Sequence, residues 1–225
     1  MPDPTGEFSD RIVVVTGASQ GIGAATALAF AQAGATVVAG CPALESERHR
    51  QAVADWREAA GLSAERVAPI TADVSQVEEV TQFYDTVQKH FGRVDVLVNN
   101  AATNPYAGPV IDIDVPRWEQ TFATTLTTPL GWTQACWNRW MKEHGGSVVN
   151  ISSVGAFGTN PILGVYDLTK RALIHLTEQL AAEMGPAVRV NAVCPGLIRT
   201  DFARALWDDG RGDAIAEALP MKRLG

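Results

Sequence analysis

The chain has 225 residues, of which 46% are hydrophobic and 19% charged, with a formal net charge of -7. That suits one globular domain spanning 1–225 with a real core, and the acidic balance argues against nucleic acid, which wants a basic patch. The widely spaced Cys41, Cys136 and Cys194 and the four histidines lack metal-ligand spacing, and neither a leader nor a membrane-length apolar run is visible, so a cytoplasmic protein without metal, disulfide framework or membrane contact is expected.

Short apolar runs alternate with longer helical patterns along the chain. "RIVVVTG" is a β-branched strand closed by a turn, and "GIGAATALAFAQAGA" is a helix ending at Gly34. "ATVVAG" is a second strand, followed by a helix in "ESERHRQAVADWREAAG" with Ala52, Val53 and Trp56 on its apolar face. "RVAPITADV" holds a third strand, and Val77, Val80, Phe83 and Val87 repeat at helical spacing after it. "VDVLVNN" is a fourth strand. A long helix is expected from Pro116 to Glu143, kinked by Pro129. "GGSVVNISS" is a fifth strand, "YDLTK" lies on the next helix, and "AVRVNAVCPG" is a sixth strand.

Strands and helices alternating in this way predict an α/β, Rossmann-type doubly wound parallel sheet in three layers. Continuous apolar strands such as "IVVV" fit burial on both faces. Ligands in such folds meet the carboxyl ends of the strands. The segment 197–219 follows the last strand and is expected to cover the ligand crevice.

The turn "TGASQGIG" carries Gly17, Gly21 and Gly23 between the first strand and helix. Glycines there let the backbone approach a pyrophosphate, and the helix start offers free N–H groups; a plain tight turn is the competing reading. Its spacing, with "NNA" at 99–101, "ISS" at 151–153, Tyr166 and Lys170 in "YDLTK", and Pro195-Gly196, resembles the short-chain dehydrogenase/reductase family over essentially the whole chain. "AATNPYAGP" and "LIRTDFARALW" resemble its carbonyl and retinal reductase branch.

The resemblance implies an oxidoreductase that interconverts a ketone or aldehyde and an alcohol with NAD(P). Ser153 would position the substrate oxygen, Tyr166 would act as general acid/base, and Lys170 would assist it while holding the nicotinamide ribose. Thr16, Gly17, Ser19, Gly21, Ile22 and Gly23 would bind the dinucleotide. Asp73 and Val74 would meet the adenine, Asn99 and Ala101 the adenosine side, and Pro195, Gly196, Ile198 and Thr200 the nicotinamide end. Asp73 also reads as a helix cap or turn residue, and Asn99 as a tie between neighbouring strands. Thr103, Asn104, Tyr106, Phe157, Leu163 and Leu197 would line a mainly apolar substrate end, or simply pack.

Four departures qualify that expectation. Cys41 and Pro42 replace the acidic residue that selects a ribose diol, which leans toward NADP; the want of an obvious arginine leans back. Thr125 stands where the family carries an asparagine behind the lysine, which opens the alternative of a weak or inactive cofactor-binding or regulatory protein. Asp167 beside Tyr166 is expected to face a neighbour or solvent. The family's last helix and strand have no counterpart after "MKRLG", so strand six is expected to be an exposed edge. The fold also admits an enzyme of another class. Self-association as a homodimer or homotetramer through the long helix and the YDLTK helix is implied as well.

Overall fold

Alternate valines of the first strand face opposite ways, and two cores form on them. The computed structural model describes residues 6–41, 46–71 and 77–225. In it β1 (Ile12–Thr16) lies at the centre of a six-stranded sheet in the order β3-β2-β1-β4-β5-β6. The others are β2 (Thr36–Cys41), β3 (Val67–Thr71), β4 (Val96–Asn99), β5 (Gly146–Ile151) and β6 (Val188–Val193), and every pairing is parallel. Val13 and Val15 join Ala27, Ala31, Val37 and Val53 on one face. Val14 joins Val38, Phe83, Leu97 and Trp132 on the other. A strand pleat sends successive side chains to opposite faces, so a run of valines serves both layers.

The helices are α1 (Gly21–Gln32), α2 (Ser46–Ala59) and α3 (Val77–Phe91), then α4 (Val115–Phe122), α5 (Thr128–Cys136) and α6 (Lys142–His144) in one rod, then α7 (Gly164–Met184), α8 (Arg204–Trp207) and α9 (Arg211–Ala218). Small residues Gly23, Ala27 and Ala31 form the buried stripe of α1, which lets it lie close to the sheet. Asp114 caps α4 by accepting from Arg117 N–H at 2.9 Å.

The kink expected at Pro129 takes another form. The helix widens into a π-turn at Ala123–Thr127, where Thr128 N–H and Oγ1 both reach the Ala123 carbonyl. Proline brings no N–H and crowds the turn before it; an inserted π-turn absorbs both problems without breaking the rod.

Strand order reverses between β1 and β4, which opens a crevice at their carboxyl ends. Asp95, just before β4, accepts from Ile12 N–H at 2.8 Å and from Arg11 and Arg93, clasping the other end of the same pair. β6 forms one edge, with Arg189, Asn191 and Val193 exposed.

Trp132 meets Phe83 edge-on at 4.4 Å and is 1% exposed, while its indole N–H lacks a partner among the described residues. Trp132→Ala should therefore cost about 3–5 kcal/mol in urea unfolding. Trp132→Phe keeps most of the ring and removes the unpaired donor, so it should cost clearly less.

Candidate active site

The glycine turn is laced to the end of β4. Thr16 Oγ1 accepts the N–H groups of Asn100 and Ala101 at 2.9 and 3.0 Å. Asn100 Nδ2 donates to the carbonyls of Thr16 and Gly17 at 2.9 and 3.1 Å. Gly17 has φ +64°, and a Cβ on it would lie 3.0 Å from Asn100 Nδ2. A Cβ on Gly23 would collide with the Gly17 carbonyl. The turn delivers the start of α1 to the crevice, and Gln20 provides no side-chain cap. The leading N–H groups at Gly21, Ile22 and Gly23 thus present uncapped positive dipole there, an arrangement that fits a pyrophosphate.

The residues of the expected catalytic set come together across β5 and α7. Ser153 lies two residues beyond β5, and its Oγ accepts Gly155 N–H at 3.1 Å, which leaves the hydroxyl hydrogen free to donate. Ser152 is buried and donates to the Lys170 carbonyl at 2.8 Å, so the two serines have separate work. Tyr166 and Lys170 share one side of α7, with Lys170 Nζ 5.4 Å from the phenol ring centroid. Lys170 is 2% exposed, and its Nζ donates to the Ile151 carbonyl at 2.7 Å.

Burial lowers the Lys170 pKa to about 8, opposed by the nearby Cys194 thiol. Tyr166 is pushed up to about 12, by burial first and the Asp167 charge second. Burial penalises both charged forms.

Pro195 and the segment after β6 reach this end of the sheet. Val154 N–H donates to the Pro195 carbonyl at 3.0 Å, and Trp207 Nε1 to the Thr200 carbonyl at 2.9 Å. The Phe202 ring lies 6.0 Å from that of Tyr166. Gly21, Ile22, Pro195, Ile198 and Thr200 line a mainly apolar groove that runs along α1 toward Phe8 and Phe30. Gly196 is exposed, whereas Ser19 and Ala101 are more enclosed. Tyr166 does not line this groove.

Other expected residues fall elsewhere. The Asn99 side chain does not line the crevice: it is 3% exposed and donates to Asn150 Oδ1 at 2.9 Å, so it ties strands together. Asp73, Val74 and Pro42 lie outside the described residues. Tyr106 donates to the Pro109 carbonyl and lies under the Arg117 guanidinium, 4.8 Å away. Asn104 keeps a buried Oδ1 without a partner among the described residues. Thr125 is buried, with Oγ1 3.5 Å from the Thr103 carbonyl. Phe157 is exposed, and Leu163 and Leu197 are half-buried. Sequence reading missed Asn100, which "NNA" contains but does not distinguish from Asn99.

The short chain dehydrogenase family model matches residues 11–211. The chain belongs to that family. It is 36% identical to human dehydrogenase/reductase SDR family member 4 over 220 residues, covering 97% of this chain and 77% of the relative. Among solved structures, a short-chain dehydrogenase/reductase from Brucella melitensis superposes with a TM-score of 0.87 at 30% identity, covering 98% of this chain and 86% of that one. One from Burkholderia cenocepacia, in complex with NADP, gives 0.85 at 31% identity with the same coverages. Family membership makes this an oxidoreductase fold with dehydrogenase and reductase relatives. Among the described residues no helix is long and apolar enough to cross a membrane.

The buried lysine predicts a pH dependence. Its folded pKa of about 8 lies below the ordinary 10.5, so the unfolded chain binds more protons between those values and stability rises with pH there. Below the window the full penalty of burying the ammonium applies. Measured by urea unfolding, wild type should therefore gain stability relative to Lys170→Met as pH rises from about 8 to 10.5.

Proposed function

We propose that this chain is an NAD(P)-dependent oxidoreductase that interconverts a ketone or aldehyde with an alcohol. The observation that carries this reading is the convergence of Ser153, Tyr166 and Lys170 at the carboxyl edge of the sheet, beside a glycine turn laced to β4. Thr16, Gly17, Ser19, Gly21, Ile22 and Gly23 would hold the pyrophosphate side, Ala101 the adenosine side, and Pro195, Gly196, Ile198 and Thr200 the nicotinamide end. A bound nicotinamide dinucleotide supplies or accepts the hydride.

The chain's own residues handle orientation and the proton. Ser153 Oγ keeps its hydrogen free because it already accepts from Gly155, so it can donate to a substrate oxygen. Tyr166 gives its phenol proton to a carbonyl oxygen in reduction and takes one back in oxidation. Lys170, fixed by the Ile151 carbonyl, supports the phenolate when it forms. The segment 197–219, with Phe202 against Tyr166, is read as the cover that excludes water.

The choice of NADP over NAD draws support from the Burkholderia relative, which was solved with NADP. A second reading, a cofactor-binding protein of little turnover, is favoured by Thr125. Its hydroxyl is turned to the Thr103 carbonyl and offers less than an asparagine amide would. Self-association is read from α7, whose outer face exposes Leu168 beside Phe157 and Ile174.

A panel of ketones and alcohols followed by nicotinamide absorbance should give sustained turnover; none with any of them would favour the second reading. Tyr166→Phe should lower kcat by roughly 10²–10⁴-fold with dinucleotide affinity retained, measured by titration with NADH and NADPH. Sedimentation at micromolar concentration should show a dimer or tetramer; a strictly monomeric species contradicts the assembly.

A further inference from the structure

Asp167 stands next to Tyr166 in the first turn of α7 and is 8% exposed. An ideal helix turns its side chain about 100° away from that of Tyr166, and that direction leads into the protein, onto the Val154–Phe157 turn. A Cβ on Gly155 would collide with Asp167 Oδ1 and come within 3.4 Å of Ser153 Oγ. The carboxylate and the serine hydroxyl therefore converge on one glycine, and only a residue without a side chain leaves room for both. No ion pair to Asp167 is found among the described residues, and burial raises its carboxyl pKa.

Few other charges face the phenol. On its own helix there are Asp167, Lys170 at 5.4 Å and Arg171, which is turned over the Phe157 ring. The Val154–Phe157 and Ala123–Thr127 turns carry no titratable side chain, nor does β5. α4 brings Arg117, paired with Asp114, and an exposed Glu119. Arg189 of β6 lies between Val188 and Val190, which pack with α7, and so points to the other face. The segment after β6 presents Cys194 toward Lys170 and Phe202 to the phenol, with Asp201 paired to Arg204. Asp167 is the one uncompensated anion beside Tyr166 among the described residues, and a like charge disfavours a phenolate.

We propose that Asp167 is a positioning residue for the Ser153–Tyr166 pair: its carboxylate, seated in the space that Gly155 leaves, keeps the phenol in its neutral, proton-donating form. A neutral phenol is the form that delivers a proton to a carbonyl, and alcohol oxidation needs the phenolate, so Asp167 adds to burial in raising the pH at which oxidation sets in. That consequence rests on the oxidoreductase reading above; the state of the phenol does not.

Difluorotyrosine placed at position 166 moves the titration into a range that a folded protein withstands, and its absorbance reports the phenolate without any substrate. Asp167→Asn should lower the midpoint by roughly one pH unit, while Asp167→Glu, which retains the charge, should keep it near the native value. An unchanged or raised midpoint in folded Asp167→Asn overturns the proposal, and Asp167→Ser decides the same way if the asparagine variant does not fold. In turnover, Asp167→Asn should shift the pH profile of alcohol oxidation downward; a uniform loss at every pH, with no shift, contradicts the proposal. Failure of the oxidoreductase reading has a different signature, a normal midpoint shift in a protein that never turns over.

Discussion

The seam between β1 and β4 is the constraint on which the site depends. The strand order reverses there, so these two strands alone open a crevice between connections that run in opposite directions. One hydroxyl and one amide hold it closed to a fixed width: Thr16 Oγ1 accepts two N–H groups, and Asn100 Nδ2 donates to two carbonyls. Every one of these groups is a backbone partner left over where a strand ends, and each would be costly to bury unpaired. Gly17 makes the close approach possible, because a side chain there would press on Asn100. The start of α1 then has one place to go.

A second buried polar chain fixes α7 relative to the same seam. Asn99 donates to Asn150 on β5, and Asn150 donates to Thr177 on α7 at 2.9 Å. Thr177 lies seven residues after Lys170 and therefore on the same helix face. Leu173 and Thr177 are both buried along that face. Networks of this kind are geometrically demanding and help to specify one packing register; among the described residues Asn99 Oδ1 is left without a partner in this one. The helix that carries Tyr166 and Lys170 is thereby held to the sheet by directional contacts as well as by apolar area. The same burial shifts both titratable groups toward neutrality, the phenol upward and the amine downward. A charge formed on the phenol during a proton transfer would meet few stabilising groups besides Lys170.

Much of this was legible in the sequence, for local reasons. Strand runs such as "IVVV" are recognisable because burial on both faces demands apolar residues without alternation. The glycine turn is recognisable by its place at the first strand–helix junction, and Ser153, Tyr166 and Lys170 through the resemblance of the linked motifs to the short-chain dehydrogenase/reductase family. What was missed depends on contacts far apart in the chain. Asp95 clasping Arg11, and Asn100 reaching back to Thr16, have no local spacing to betray them. "NNA" marks two adjacent asparagines, but only the pleat decides that Asn99 enters the core while Asn100 closes the crevice. Pro129 signalled a disturbed helix without revealing that a π-turn would absorb it. The direction of Asp167 was readable from helix geometry, and its burial was not, because the Val154–Phe157 turn that covers it has no periodic pattern to betray where it lies.

The most direct test of the central claim follows the hydride itself. The protein is given a ketone and a reduced dinucleotide carrying deuterium on the nicotinamide C4 of the transferred face, and the alcohol is analysed by mass spectrometry and NMR. The account predicts deuterium on the carbinol carbon, transferred by the native chain and lost in the Ser153→Ala and Tyr166→Phe variants. An alcohol formed without the label, or label transfer that survives both substitutions undiminished, would contradict it.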